Sequence, residues 1–250
     1  CQRRGPWPWR GGSDCVRTGG CTRRLKWFPR YCYPANMPRN VRMVVPGAAH
    51  HVTQRGNNRQ DVFLSGEDRR VYLGILRKQA LSFQFRVLGY CLMTNHVHVV
   101  GIPENELSLS MAIGRTHFLY ALHVNRQQGR SGHVWQNRFF SCPMDDAHTL
   151  AALCYAELNP VRAGIIEKPW KYDWSSAAAH CGRDEPDPVL DMNAWNDIAP
   201  DGEWVETLRA FMRDTTTIES LRRSTQCGRP LGDNTFIGMV DKRRGVSEGM

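Results

Sequence analysis

At 250 residues, 41% hydrophobic and 23% charged, the chain has the length of one domain with appendages or two small ones and a near-average globular composition. No apolar run approaches the ~18 residues of a membrane span, so a helical membrane protein and a wholly disordered chain are both set aside. Lys and Arg number 33 against 24 Asp and Glu, a net charge of +9 that points to an anionic partner such as nucleic acid.

The position of that charge changes its meaning. Residues 1–42 hold ten basic side chains (Arg3, Arg4, Arg10, Arg17, Arg23, Arg24, Lys26, Arg30, Arg39 and Arg42) and a single acid, Asp14. The remaining 208 residues therefore carry 23 bases and 23 acids, and a nucleic-acid surface on the main body must be argued from local patches. The stretch 1–42 has no periodicity and no apolar signal region, and reads as a disordered basic extension or a mis-set start, with Met37 or Met43 as the alternative beginning. The nine cysteines are odd in number and show no Cys-x-x-Cys spacing; Cys91 and Cys154 lie in apolar contexts and read as small core residues of a reduced, cytoplasmic protein.

Along the main body, Ala49 to Arg55 reads as a strand closed by the turn Gly56-Asn57-Asn58. Ser65 is placed to cap a helix over Gly66 to Gln79. Phe85 to Met93 and His96 to Ile102 are β-rich and joined by Thr94-Asn95; Leu107 to Gln128 has helical spacing and stops at Gly129 to Gly132. Val134 to Met144 reads as a further strand, and Asp145 or Asp146 as the cap of a third helix that must stop near Asn159, because Pro160 disfavours helical geometry in the residue before it. The order β, α, β, β, α, β, α predicts an α+β fold: a ferredoxin-like four-stranded antiparallel sheet with helices on one face. Residues 43–182 form the predicted main domain. Residues 183–250 read as a Pro- and Asp-rich linker, a short helix over Glu203 to Arg213, another around Ile218 to Arg223, and a loose end.

Two patterns carry chemistry. In Asn95-His96-Val97-His98, residues two apart on a strand share a face, so His96 and His98 present paired imidazoles suited to a divalent metal; two histidines that only satisfy hydrogen bonds would look the same. In Tyr155-Ala156-Glu157-Leu158-Asn159, positions i and i+4 share a helix face, so the Tyr155 hydroxyl and the Asn159 amide can converge. Asn is an acceptable ligand for Mg²⁺ or Mn²⁺, and Tyr can hold a covalent intermediate; Glu157 points elsewhere on the helix, which leaves no obvious carboxylate base. Gln54 to Arg59 sets Arg55, Asn57, Asn58 and Arg59 around a Gly turn, suited to phosphates and base edges or simply a solvated hairpin. In Trp135 to Phe139, aromatic and basic side chains interleave as on a platform for unpaired bases, with Arg138 favoured over Trp135 as the contact; Arg162 is a phosphate contact or a surface charge. His50, His51, His117, His123, His133, His148 and His180 have no partner at ligand spacing and read as structural.

Taken together, the blocks VVPGAAHHVTQRGNNRQDVF (44–63), YCLMTNHVHVV (90–100), GHVWQNRFFS (132–141), YAELNPVRAGII (155–166) and WSSAAAH (174–180), with a fainter GRPLGDNTFI (228–237), resemble the single-tyrosine HUH transposases, and within them the REP-associated tyrosine transposases. The resemblance covers about residues 40–182. It implies His96, His98 and Asn159 as ligands of Mg²⁺ or Mn²⁺ and Tyr155 as the nucleophile of an enzyme that cleaves and rejoins single-stranded DNA through a 5′-phosphotyrosine link. The implied partner is hairpin DNA, with no membrane, and the protein a monomer in preference to a dimer. The alternative is a hairpin-binding protein of the same descent that no longer cleaves.

Overall fold

The computed structural model describes residues 42–183, 187–199, 203–212 and 214–243. The readings of residues 1–41 and of the last seven residues fall outside that set. The described residues belong to one unit, Val41–Met250.

The first strand, β1 (Ala49–Arg55), leads through a short 3-10 turn (Asn57–Arg59) to α1 (Gly66–Ser82). Ser65 caps α1 as expected, and the cap is reciprocal: the Ser65 side chain accepts from the Asp68 amide while the Asp68 carboxylate accepts from Ser65. Strands β2 (Phe85–Leu92) and β3 (His96–Pro103) form the hairpin, α2 (Ser108–Gln127) crosses back, and β4 (Phe140–Met144) completes an antiparallel sheet in the order β2-β3-β1-β4. That order is the ferredoxin-like one.

The fourth strand is shorter than the sequence suggests. Val134 and Trp135 are both buried, which breaks strand alternation, and the Trp135 indole N–H donates to the His117 carbonyl 2.9 Å away. Residues 134–139 are therefore a loop, tied to the sheet by one isolated bridge between Gly56 and Trp135.

Alternation along β3 sorts the two sides of the sheet. Val97 and Val99, with Val52 of β1, pack under α1 and α2 alongside Tyr72, Leu76, Leu109 and Ile113. Val100 and Ile102 point the other way, toward α3 (Asp146–Glu157), where Ala152, Leu153 and Leu158 lie. Gly89 of β2 is required by this packing, since a Cβ there would stand 2.4 Å from Leu153 Cδ2.

Two helices thus cover one face as expected, and the other face carries α3 and the carboxy-terminal helices. After α3 come α4 (Asn159–Arg162), α5 (Ala177–His180), α6 (Met192–Asn196), α7 (Trp204–Phe211), α8 (Thr215–Cys227) and α9 (Asn234–Arg243). Trp195, Trp204, Leu208, Ile218 and Leu221 share the apolar cluster of α3, so α6, α7 and α8 are packed on the α3 side of the sheet. Leu231 bridges β4 alongside Met144, and the Asp145 carboxylate both caps α3 and accepts from the Asp233 amide.

The helix break expected near Asn159 falls at Leu158, with a new turn starting at once. Pro160 has no N–H to give the preceding turn and sits instead in the first turn of α4.

Candidate functional site

His96 and His98 open onto the α3 side of the sheet with ring centroids 5.1 Å apart and planes nearly perpendicular. The His96 Nδ1 lies 2.7 Å from the Asn95 side-chain oxygen, which can only accept. The proton is therefore on Nδ1, and Nε2 of His96 keeps a free lone pair. His98 is buried, with Nδ1 3.0 Å from His51 Nε2 and its own Nε2 without a hydrogen-bond partner among the described residues.

Burial keeps these rings neutral. It lowers His51 to about 3, and, aided by the Arg55 charge, lowers His96 to about 4. For His98 burial again dominates, followed by the neighbouring His51 and His96 and by Arg162 and Arg55, and the ring sits well below the usual imidazole range. Neutral imidazoles with outward lone pairs are the form in which histidine binds metal.

Tyr155 comes down onto this pair from α3. Its ring is buried and meets His98 edge-on at 5.3 Å and His51 edge-on at 5.8 Å between centroids. The Arg162 guanidinium lies 4.4 Å from the centre of the Tyr155 ring and donates to the Tyr155 carbonyl. The phenol oxygen accepts a hydrogen bond from Arg222 Nε, 3.1 Å away on α8. Asn159, in the first turn of α4, is half-buried, and its amide nitrogen Nδ2 has no partner among the described residues. Side-chain amide oxygen and nitrogen are nearly isosteric, so this position can present an acceptor as well as a donor.

Glu157 is spent elsewhere. One carboxylate oxygen accepts from Ser176 Oγ and His180 Nδ1, each at 2.6 Å, and the other from the Trp204 indole at 2.7 Å. This fully buried group fastens the end of α3 to α5 and α7 and is turned away from Tyr155.

The remaining expected contacts divide between two places. The turn carrying Asn57, Asn58 and Arg59 docks beside the histidine strand, with the Gly56 amide donating to the Asn95 carbonyl at 2.8 Å. Positive φ falls on Asn58 and Arg59, whereas Gly56 is needed because a Cβ would lie 2.2 Å from the Gln60 carbonyl oxygen. Arg55 and Arg59 are exposed. Arg138 is not part of this group: it is exposed at a cleft of about 500 Å³ beside α2, lined also by Arg42, Gln54, His117, Phe118 and Trp135. There the Arg42 guanidinium stacks 3.5 Å above the Phe139 ring, and burial with the nearby Arg138 charge lowers Arg42 to about 10.

Two residues at the site, Arg222 and Thr225, escaped the sequence reading, and a third, His51, reads there only as structural. His51 has no ligand spacing to betray it, yet it occupies the same face of β1 that β3 presents with His96 and His98, because Thr53 pairs with His98 and His51 lies two residues further along. Arg222 and Thr225 come from α8, whose sequence carries no sign of what it covers.

Among the described residues no group of three His, Cys, Asp or Glu side chains is disposed to hold a metal ion. A metal here would need a set of a different kind, two imidazoles and an amide. The unpartnered His98 Nε2, the free His96 Nε2 and the unpaired Asn159 amide fit such a set.

Three similarities to known proteins are found. Residues 44–158 match the family model described as "Transposase IS200 like". A Haemophilus influenzae protein described as a REP-associated tyrosine transposase is 31% identical over 103 residues, covering 36% of this chain; the match spans 58% of that relative's length. A solved structure of a REP-associated tyrosine transposase bound to a REP hairpin is similar with a TM-score of 0.46 and 18% identity, over 62% of this chain and 94% of that one. The matched segment includes β1, the paired histidines and Tyr155, and over residues 44–158 the chain is similar to the IS200-like transposases.

Proposed function

We propose that the chain is a metal-dependent endonuclease and strand transferase for single-stranded DNA, with Tyr155 as the nucleophile and His96, His98 and Asn159 as the metal ligands. The observation that carries this reading is the meeting of a buried tyrosine with a pair of neutral imidazoles whose lone pairs are unspent. A divalent ion bound there, Mg²⁺ or Mn²⁺, would polarise the scissile phosphate.

The protein's own groups supply the rest. The phenol oxygen attacks phosphorus as its proton leaves to water; the P–O3′ bond breaks in line, leaving the 5′-phosphate on Tyr155 and a free 3′-hydroxyl. A second 3′-hydroxyl attacking the same phosphorus reverses the bond change and rejoins the strand. The Arg222 Nε–H, already on the phenol oxygen, stabilises negative charge there both before attack and when the tyrosine is the leaving group. Arg162, over the ring, and Arg55, beside His96, give the site a cationic rim for the phosphodiester backbone. Asn57, Asn58 and Arg59, in the turn docked next to His96, are assigned to DNA contact, and Arg138 to a second contact at the α2 cleft. The resemblance to the REP-associated group makes hairpin DNA the substrate to test, with a monomer as the acting unit.

The test is incubation of end-labelled single-stranded hairpin DNA with Mn²⁺ and either wild type or Tyr155→Phe, resolved on a denaturing gel before and after protease. A protease-sensitive protein–DNA band is expected with wild type alone. Chelation of the metal should abolish the band while circular dichroism stays unchanged. Binding without cleavage by wild type, across several hairpins and with either metal, would remove the enzymatic reading.

A further inference from the structure

A buried hydrogen-bond chain runs from α8 to the histidine pair, and it has only one consistent arrangement of protons. Thr225 Oγ1 donates to the Leu221 carbonyl one turn earlier in α8, at 2.8 Å. A hydroxyl has one hydrogen, so toward His51 Nδ1, 2.8 Å away, the same oxygen can only accept. His51 therefore carries its proton on Nδ1 and offers a lone pair at Nε2. The contact of that Nε2 with His98 Nδ1 at 3.0 Å then requires the proton to be on His98 Nδ1. His98 Nε2 is left without a proton, buried and without a partner among the described residues. Thr225 and His51 are each 1% exposed and His98 4%, so water has little access to scramble the order. The Cys142 thiol, 3.3 Å from Thr225 Oγ1, adds a donor to the same oxygen and opposes none of these bonds.

We infer that Thr225 of α8 and His51 of β1 are positioning residues that set the tautomer of His98 and keep its Nε2 as a bare lone pair for a divalent cation. This deepens the metal reading given above and rests on it. It also gives α8 a part in building the metal site. Without the Thr225 oxygen, nothing holds the His51 proton on Nδ1. His51 is then free to carry it on Nε2 and donate to His98 Nδ1, which moves the His98 proton onto Nε2 and blocks the ligand.

The test uses the full chain in three forms: wild type, Thr225→Val, which removes the hydroxyl at nearly constant shape, and Thr225→Ser, which restores it. Long-range ¹H–¹⁵N spectra of the metal-free wild type should show both His51 and His98 as Nδ1–H tautomers. This reading needs no variant and no metal, so it stands even if Thr225→Val folds poorly. Mn²⁺ titration followed by electron paramagnetic resonance should give roughly 10-fold or greater weakening for Thr225→Val, as loss of a ligand's supporting hydrogen bond does elsewhere, with recovery to within about twofold for Thr225→Ser. An Nε2–H tautomer at His98 in wild type, or equal Mn²⁺ affinity in wild type and a folded Thr225→Val, overturns the inference. His98→Ala separates the two levels. If wild type binds Mn²⁺, His98→Ala does not, and Thr225→Val matches wild type, the metal site stands and the positioning role fails; if wild type itself binds no Mn²⁺, the metal reading fails and takes this one with it.

Discussion

Arg222 reaches the phenol oxygen of Tyr155 from 67 positions further along the chain, and it contributes charge to the oxygen that attacks phosphorus in the proposed reaction. Replacing a charge-assisted hydrogen bond of this kind typically removes ~1.5–3 kcal/mol, a factor of roughly 10 to 100 in rate if the bond acts in the transition state. Arg222→Gln is therefore expected to slow single-turnover formation of the protein–DNA adduct by that factor, with the hairpin affinity in filter binding changed much less. An equal fall in affinity and rate would place Arg222 among the DNA contacts. At this scale the sequence was informative where chemistry follows spacing. The paired histidines two apart on a strand and the tyrosine at a helix end announce themselves; His51, Thr225 and Arg222 do not, because each reaches the site through strand pairing or helix docking. His51 could be reached by reasoning that the first strand pairs with the histidine strand in a ferredoxin-like sheet, which puts its alternate residues on the same face.

Among the elements, α3 is the one whose placement decides whether Tyr155 meets the histidines. Its amino end is fixed by the Asp145 cap and its carboxy end by Glu157, whose two oxygens accept from Ser176, His180 and Trp204. Removing a buried carboxylate that satisfies three donors leaves those donors unpaired, so Glu157→Ala should lower stability by about 3–5 kcal/mol in a denaturant titration, and Glu157→Gln, which keeps one acceptor oxygen, by less. A change under 1 kcal/mol in Glu157→Ala would show that α3 is held mainly by its apolar face. The element boundaries were legible wherever a cap or breaker marks them: Ser65 before α1, Asp145 before α3, Pro160 after it. They were misjudged over 134–139, where composition is strand-like but Trp135 and Phe139 serve the α2 side; beyond 183 the helices expected over 203–213 and around 218–223 are present, while α6 falls inside the expected linker. A stretch rich in Pro and Asp reads as a linker, yet Trp195 of α6 within it joins Trp204, Leu208 and Leu221 in the apolar cluster of α3.

For the whole molecule, burial of neutral histidines sets the response to acid. His50 is lowered to about 4 and His117 to about 3, in both cases chiefly by burial, and both lie away from the Tyr155 site. His50 has a fixed neutral role, donating from Nδ1 to the Ala48 carbonyl and accepting the Val45 amide at Nε2. Because the folded values lie below the unfolded one of ~6.5, the unfolded chain binds more protons in between. The stability these groups permit is complete above about pH 7 and is lost as pH falls toward 4, each contributing up to about 1.4 kcal/mol per pH unit. The urea midpoint should accordingly be flat from pH 8 to 7 and fall steadily from pH 6.5 to 4; a midpoint unchanged at pH 4.5 would contradict the buried neutral assignment. Net charge, by contrast, says little about the fold: the +9 is accounted for by residues 1–42, and the local cations Arg162 and Arg222 gather at the tyrosine regardless of it.

The central claim is that one oxygen, that of Tyr155, takes the broken DNA strand. It is tested most directly by reacting the full chain with single-stranded hairpin DNA in Mn²⁺, trimming the DNA with nuclease and locating the attached nucleotide by peptide mass spectrometry. The nucleotide is expected on Tyr155, through its 5′-phosphate, and absent when the metal is chelated. Attachment to any other residue, or strand cleavage with no attachment at all, would contradict the account.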